Sequence, residues 1–242
     1  MDVFPAIDLR GGKCVRLYQG DYSKEQVFSD DPVATAQRWE REGAHFLHVV
    51  DLDGAASGNP ANLEAIQRIT KETDLWVEVG GGIRSLETAQ RVLGFGAKRI
   101  VLGTVAVENP TLAGRILKTL GPEHVAVGVD AREGKVAVKG WKETSAVDAL
   151  TLMSDMTKQG ARTFIYTDIG RDGTMTEPNF DALHEAARRF PKGIIASGGV
   201  SKTEHVSRLA GLGVSGCIIG RAIYTGDIKL PEALAAAQQK QR

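Results

Sequence analysis

Cysteine is scarce in this sequence: Cys14 and Cys217 are the only two in 242 residues, and neither belongs to a C-x-x-C pair. A disulfide framework and thiol redox chemistry are therefore not expected; the pattern fits buried or free thiols in a reducing cytosol. Long apolar runs are missing too. Stretches such as "FLHVV" and "CIIG" fall far short of the roughly 18 residues that a membrane span needs. The N-terminus lacks the basic segment followed by an apolar one that marks an export signal. Excess charge is also absent, because 30 Lys and Arg balance 30 Asp and Glu. No global field draws the chain to nucleic acid or anionic lipid, so a cytoplasmic protein without either partner is expected. The five histidines give no metal pattern: His45 and His48 lie three apart on a strand and so face opposite ways, and His124, His184 and His205 are scattered. Neither the GK[ST] phosphate loop nor the GxSxG nucleophile elbow occurs. "GLGVSG" at 211 to 216 fits GxGxxG but follows a helix and precedes a strand, the reverse of the dinucleotide fingerprint, and reads as a helix stop.

What the chain does have is alternation. Eight short runs rich in Val and Ile, "VFPAI", "FLHVV", "LWVEV", "RIVLG", "VAVGV", "TFIYT", "GIIAS" and "CIIG", are separated mostly by segments of helical period. One such helix is entered through Ser85 and carries Leu86, Ala89, Val92 and Leu93; another opens with a capping box, Ser201 to Glu204, and ends at Gly211. Continuously apolar strands alternating with helices imply a parallel sheet covered by helices. Eight units of about 30 residues suit a (β/α)8 barrel, a TIM barrel, with a doubly wound open sheet as the alternative.

An internal repeat favours the barrel. "GAHFLHVVDLDG" at 43 resembles "GARTFIYTDIGRDG" at 160, and "GAKRIVLGT" at 96 matches "GVSGCIIGR" at 213, both at an offset of 117 residues. The first strands, "VFPAID" and "VAVGVD", are offset by 122. Four βα units copied once predict a single domain of two half-barrels, about 1–121 and 122–242, since neither half alone can bury its sheet edges.

The glycines follow the same symmetry. "GGGIRS" after the third strand is the mate of "SGGVSK" after the seventh, and the glycine turns "LGT" and "IGR" end the fourth and eighth strands. In a barrel these loops share the C-terminal face, where active sites are built. Gly81, Gly82, Gly103 and Thr104 on one side, and Ser197, Gly198, Gly199, Gly220 and Arg221 on the other, predict two phosphate-sized cups of backbone N–H groups and helix N-termini. Cups on opposite sides of the barrel mouth suggest a small-molecule ligand with a phosphate at each end.

Asp8 ends the first strand and Asp130 the fifth, at the 122-residue offset, so the two carboxyls should flank whatever spans the cups, one as base and the other as acid. Asp172, in the "GRDGT" loop with Gly173, competes for the role of proton donor, while Thr167 is placed to hydrogen-bond the reacting oxygen. Asp51 and Asp168 read as loop-orienting groups. Residues 11–32 form an insertion in which alternating Cys14, Arg16 and Tyr18 point to a small hairpin lid; Arg16 is a candidate clamp for an anion. Trp141 is placed to stack on a flat heterocycle or to pack its own loop.

"PAIDLRGGKCVRLYQGD", "VVDLDGA", "VGGGIRS", "VLGT", "DGTM", "ASGGV" and "IIGRAIY", in this order over essentially the whole chain, resemble the ProFAR isomerase family of histidine biosynthesis. The related cyclase family typically has a cysteine before a lysine-containing loop on the first strand, where this chain reads "PAID" before "RGGKCVRL". The resemblance implies an Amadori rearrangement of a bis-phosphorylated aminoaldose ribotide to an aminoketose. It assigns Asp8 as the base at C2 of the ribose, Asp130 or Asp172 as the acid on the ring oxygen, and Thr167 as an assisting group. It implies no cofactor, because an imine intermediate supplies the electron sink. Activity on phosphoribosyl anthranilate as well, or a non-catalytic phosphosugar-binding barrel, are the alternatives, and a monomer is expected because the barrel buries its own core.

Overall fold

The computed structural model describes residues 1–238 and contains a closed eight-stranded parallel barrel wrapped by helices. The strands in chain order are β1 (Asp2–Arg10), β2 (Lys13–Tyr18), β3 (Asp21–Ser29), β4 (Phe46–Asp51), β5 (Trp76–Gly80), β6 (Arg99–Leu102), β7 (Val125–Arg132), β8 (Lys135–Val138), β9 (Glu143–Asp148), β10 (Thr163–Asp168), β11 (Ile194–Ser197) and β12 (Gly216–Ile219). The ring runs β1, β4, β5, β6, β7, β10, β11, β12 and closes on β1. These eight coincide with the eight apolar runs of the sequence. The half-barrels meet at two parallel seams, β6 against β7 and β12 against β1, so β1 and β7 stand opposite each other.

Strand parity sorts the core. Every second residue faces the helices: Val3, Ile7 and Leu9 of β1 and Leu47 and Val49 of β4 belong to the large cluster between barrel and helices. The intervening residues face the barrel axis, where Phe4, Ala6, Ala126, Ile165, Ile195 and Ile218 form a small inner core backed by Phe46, Trp76 and Val101. Strands apolar on both faces are a consequence of this double burial.

The helices begin where the sequence provides caps. Asp31 accepts from Val33 and Ala34 N–H at the start of helix Pro32–Arg41, and Ser85 Oγ accepts from Thr88 N–H at 3.1 Å before helix Leu86–Gly94. The expected capping box at Ser201 is not formed. The N-cap of helix Thr203–Gly211 is Lys202, which makes no side-chain cap, because Ser201 Oγ instead donates to the Thr176 carbonyl at 2.7 Å. Lys202 is the repeat mate of Ser85, so the helix starts where symmetry puts it.

The 11–32 insertion is the antiparallel hairpin β2–β3. A second hairpin, β8–β9, extends β7 in the same way and was not legible as strands: β8 is four residues long, and its entry turn requires left-handed backbone at Glu133 (φ 50°) and Gly134 (φ 77°).

Candidate active site

All sixteen residues singled out from the sequence line one cavity at the C-terminal mouth of the barrel. Parity explains how they come together. Asp8, Asp130, Thr167 and Ser197 occupy inward positions near strand ends, and Thr167 lies in register beside Asp130. Gly103 and Gly220 close the ends of β6 and β12 as N-caps of helices Thr104–Glu108 and Arg221–Thr225, with nearly equal backbone angles (φ −96° and −100°) and no side-chain cap on either. Their first N–H groups are left without a side-chain acceptor.

The paired glycine loops have a second reason to be glycine. Gly81 and Gly198 have φ of 103° and 88°. A Cβ on Gly81 would collide with the Asp51 carbonyl oxygen, and one on Gly198 would lie 2.6 Å from that of Asp168. Gly82 and Gly199 press in the same way on the backbone at Asn59 and Glu177. Each loop is thus seated on the preceding βα loop, which is held by its own aspartate. Asp51 is fully buried and accepts from the N–H groups of Gly54, Ala61 and Asn62 at 2.6–2.8 Å; Asp168 accepts from Gly170 N–H and Asn179 Nδ2. Gly198→Ala should cost about 1–3 kcal/mol of stability from left-handed backbone and steric strain, read as a lower midpoint in urea unfolding; an unchanged midpoint would show that the loop is not seated this tightly.

Asp8 is fixed by Arg16, whose Nη1 donates to Oδ2 at 2.7 Å while Nη2 donates to the Ala6 carbonyl. The guanidinium lies over the Tyr224 ring and packs against Gly220, where a Cβ would come within 2.8 Å of Cζ. Arg16 therefore holds the carboxylate of Asp8 directly, whereas the sequence suggested a clamp for the ligand's anion.

The other two acids are held toward the protonated state. Burial pushes Asp130 up, against hydrogen bonding from the Trp141 and Thr167 side chains and the nearby charge of His48. Asp172 is pushed up to about 6, chiefly by burial; Arg16 pulls it down, and the neighbouring Asp8 and Asp130 carboxylates push it further up. The hairpin tip covers this acid. Gln19 N–H donates to the Asp172 carbonyl at 3.3 Å, Gln19 Nε2 donates to the Gly170 carbonyl at 2.7 Å, and Gly173 is packed against the Leu17 carbonyl. From the other side Trp141, itself at φ 68°, brings its ring edge at Cε3 against Gly20 with no room for a Cβ between them. The two hairpins, one from each half, meet over the cavity.

A family model described as "Histidine biosynthesis protein" matches residues 2–229. The chain belongs to this family. Curated relatives agree over nearly full length: it is 52% identical over 239 residues to a protein of Synechocystis sp. (98% of this chain, 93% of the relative). Against a protein of Dehalococcoides mccartyi it is 52% identical over 233 residues (96% and 98%), and against one of Picosynechococcus sp. 53% over 239 residues (98% and 93%). All three relatives are named 1-(5-phosphoribosyl)-5-((5-phosphoribosylamino)methylideneamino) imidazole-4-carboxamide isomerase.

Two cavity residues of this family member escaped the sequence reading. Arg84, exposed in the "GGGIRS" loop, lines the first cup and packs on Gly58; its mate is Ser201, so the first cup takes its arginine from β5's loop and the second takes Arg221 from β12's. His48, which the sequence ties to no metal pattern, is buried and lines the cavity. Its inward parity, shared with Asp8 through the register Ala6 to His48 and Asp8 to Val50, was the available signal.

Proposed function

We propose that this chain is the isomerase its relatives are named for, converting the bis-phosphorylated aminoaldose to the aminoketose by acid and base catalysis. The observation that carries this reading is the placement of Asp8 and Asp130 on opposite strands between two symmetry-related cups of Gly81, Gly82, Gly103 and Thr104 and of Ser197, Gly198, Gly199, Gly220 and Arg221. A phosphate in each cup would stretch the ligand across the axis and put the reacting ribose over the carboxyls. Glycine backbone N–H groups and helix N-termini supply the donors, with Thr104, Arg84 and Arg221 at the rims. Thr104 Oγ1 already accepts from Lys139 N–H at 2.9 Å, which leaves its hydroxyl hydrogen for a phosphate oxygen.

Asp8, oriented by Arg16, takes the proton from C2. Asp172 is the better-poised acid, because a group near 6 both holds and releases a proton around neutrality. It protonates the ring oxygen, the ring opens, and the nitrogen lone pair forms the imine that acidifies C2. Loss of the C2 proton to Asp8 gives the enolamine, and protonation at C1 with loss of the C2 hydroxyl proton completes the aminoketose. Asp130, in register beside Thr167, holds the ribose hydroxyls, and Trp141 stacks on the imidazole carboxamide.

The barrel pairs all its edges and, among the described residues, the only exposed large hydrophobics are Tyr18 and Val27, which favours a monomer. The two half-barrels are taken as one domain. A single unfolding transition followed both by tryptophan fluorescence and by far-UV dichroism is expected; two separated transitions would make 1–121 and 122–242 independent units. Among the described residues no helix is long and apolar enough to cross a membrane. Two buried free cysteines and a phosphorylated substrate favour the cytoplasm. Turnover is tested by following absorbance on mixing the protein with the aminoaldose; tight binding without turnover would leave only a phosphosugar-binding barrel.

A further inference from the structure

Below the mouth, the barrel axis of the first half holds three polar side chains in adjacent strands. His48, Glu78 and Arg99 are in direct register, His48 beside Glu78 and Glu78 beside Arg99. Glu78 is 0% exposed. Its Oε2 accepts from Arg99 Nε at 2.8 Å and Nη2 at 2.5 Å, and its Oε1 meets His48 Nδ1 at 2.7 Å. Arg99 is braced from the floor of the barrel by the Trp76 ring, 4.7 Å from its Cζ.

The repeat shows that the barrel does not need these charges. At the 117-residue offset His48, Glu78 and Arg99 become Ile165, Ile195 and Gly216: the two isoleucines belong to the apolar inner core, and the Phe4 ring takes up the space beside Gly216. A buried ion cluster is a poor source of stability when an apolar alternative is available, and here that alternative stands in the other half of the same molecule.

The cluster also has a direction. With both Glu78 oxygens engaged and Arg99 a pure donor, Glu78 is an ionised carboxylate that only accepts; burial pushes its pKa up, and His48 and Arg99 more than offset that. Nδ1 of His48 must then carry the proton, whichever charge the ring has. Nε2 has no hydrogen-bond partner among the described residues and belongs to a side chain that lines the cavity beside Asp130 and Asp172. We propose that Glu78 is a positioning residue that fixes the His48 imidazole with Nδ1 protonated and so presents Nε2 to the substrate. This inference rests on the isomerase reading of the same cavity. A carboxylate that fixes a histidine's tautomer is a recurrent device, and losing such outer partners typically costs about 10–100-fold.

Four variants and one spectrum test it. Glu78→Gln should lower kcat by about 10–100-fold with KM little changed, and His48→Gln by at least as much. The double variant should be no slower than His48→Gln alone, because Glu78 acts only through His48. The triple variant His48→Ile, Glu78→Ile, Arg99→Gly copies the other half and should fold cooperatively yet turn over slowly. Wild-type kcat in a folded Glu78→Gln, losses that multiply in the double variant, or a triple variant that fails to fold would each overturn the proposal, the last by placing the cluster's role in stability. Nitrogen-15 spectra of the histidine-labelled wild type should show Nδ1 of His48 protonated; a bare Nδ1 with protonated Nε2 overturns it without reference to turnover. Failure of the isomerase reading would appear instead as an inactive wild type.

Discussion

Asp8→Asn is expected to lower kcat by about 10²–10⁴-fold, the usual worth of a positioned base, while substrate still binds. The amide is nearly isosteric and can still accept from Arg16 Nη1, which reaches the carboxylate at 2.7 Å, so the cavity keeps its shape. What is lost is basicity at the carboxyl that Arg16 orients at the cavity mouth. The cups lie on the glycine loops and do not involve Asp8, so KM should move little. Steady-state kinetics on the purified variant decide this, and wild-type-like turnover would remove Asp8 from the mechanism.

Asp172→Asn should be comparably slow, and it carries a second signature. In the wild type the alkaline limb of the pH profile belongs to a group near 6, so kcat should decline as pH rises past about 6, when the donor is lost. In Asp172→Asn that limb should vanish. If Asp130 were the donor, the limb would persist in Asp172→Asn and disappear in Asp130→Asn. Stability runs the other way. A carboxyl whose folded pKa is raised from 3.8 to about 6 binds more protons folded than unfolded, so its ionisation destabilises the fold as pH rises through that window. Asp172→Asn should therefore raise the melting temperature at pH 7 and lose most of that advantage near pH 4. A variant both slower and more stable above pH 6 would mark Asp172 as a group held in place for chemistry at the expense of stability; equal melting at pH 7 would contradict its burial as an acid.

The barrel was legible in the sequence because its signal is periodic. Eight apolar runs, a 117-residue offset and aspartates at two strand ends do not depend on knowing which side chains touch. Asp8, Asp130 and Thr167 followed from strand ends, and the paired glycines from symmetry. What the sequence hid depends on register between strands. The polar residues of "FLHVV", "LWVEV" and "RIVLG" are visible as letters, but only the pairing of His48 with Glu78 and of Glu78 with Arg99 turns them into one cluster. The same holds for Arg16, whose partner was identifiable only once β2 was laid against β1 with Asp8 opposite Val15. The hairpin β8–β9 was hidden because its strands are short and its turns use left-handed backbone. The contact of Gly20 with Trp141 joins two loops some 120 residues apart in sequence. The glycine loops were read as anion cradles only; the structure adds the demand of the Asp51 and Asp168 carbonyls beneath them.

The central claim is that one ligand spans both cups with its reacting ribose over the carboxyls. Measuring kcat/KM for the aminoaldose beside two analogues, each lacking one terminal phosphate, tests it most directly. A phosphate bound in either proposed cup would gain charge-assisted hydrogen bonds, and binding energy from remote groups is what positions the reacting carbon. Loss of either phosphate should therefore lower kcat/KM by at least about 100-fold. If one phosphate could be removed without effect, the cup on that side would be empty during turnover and the two-cup reading of this cavity would be wrong.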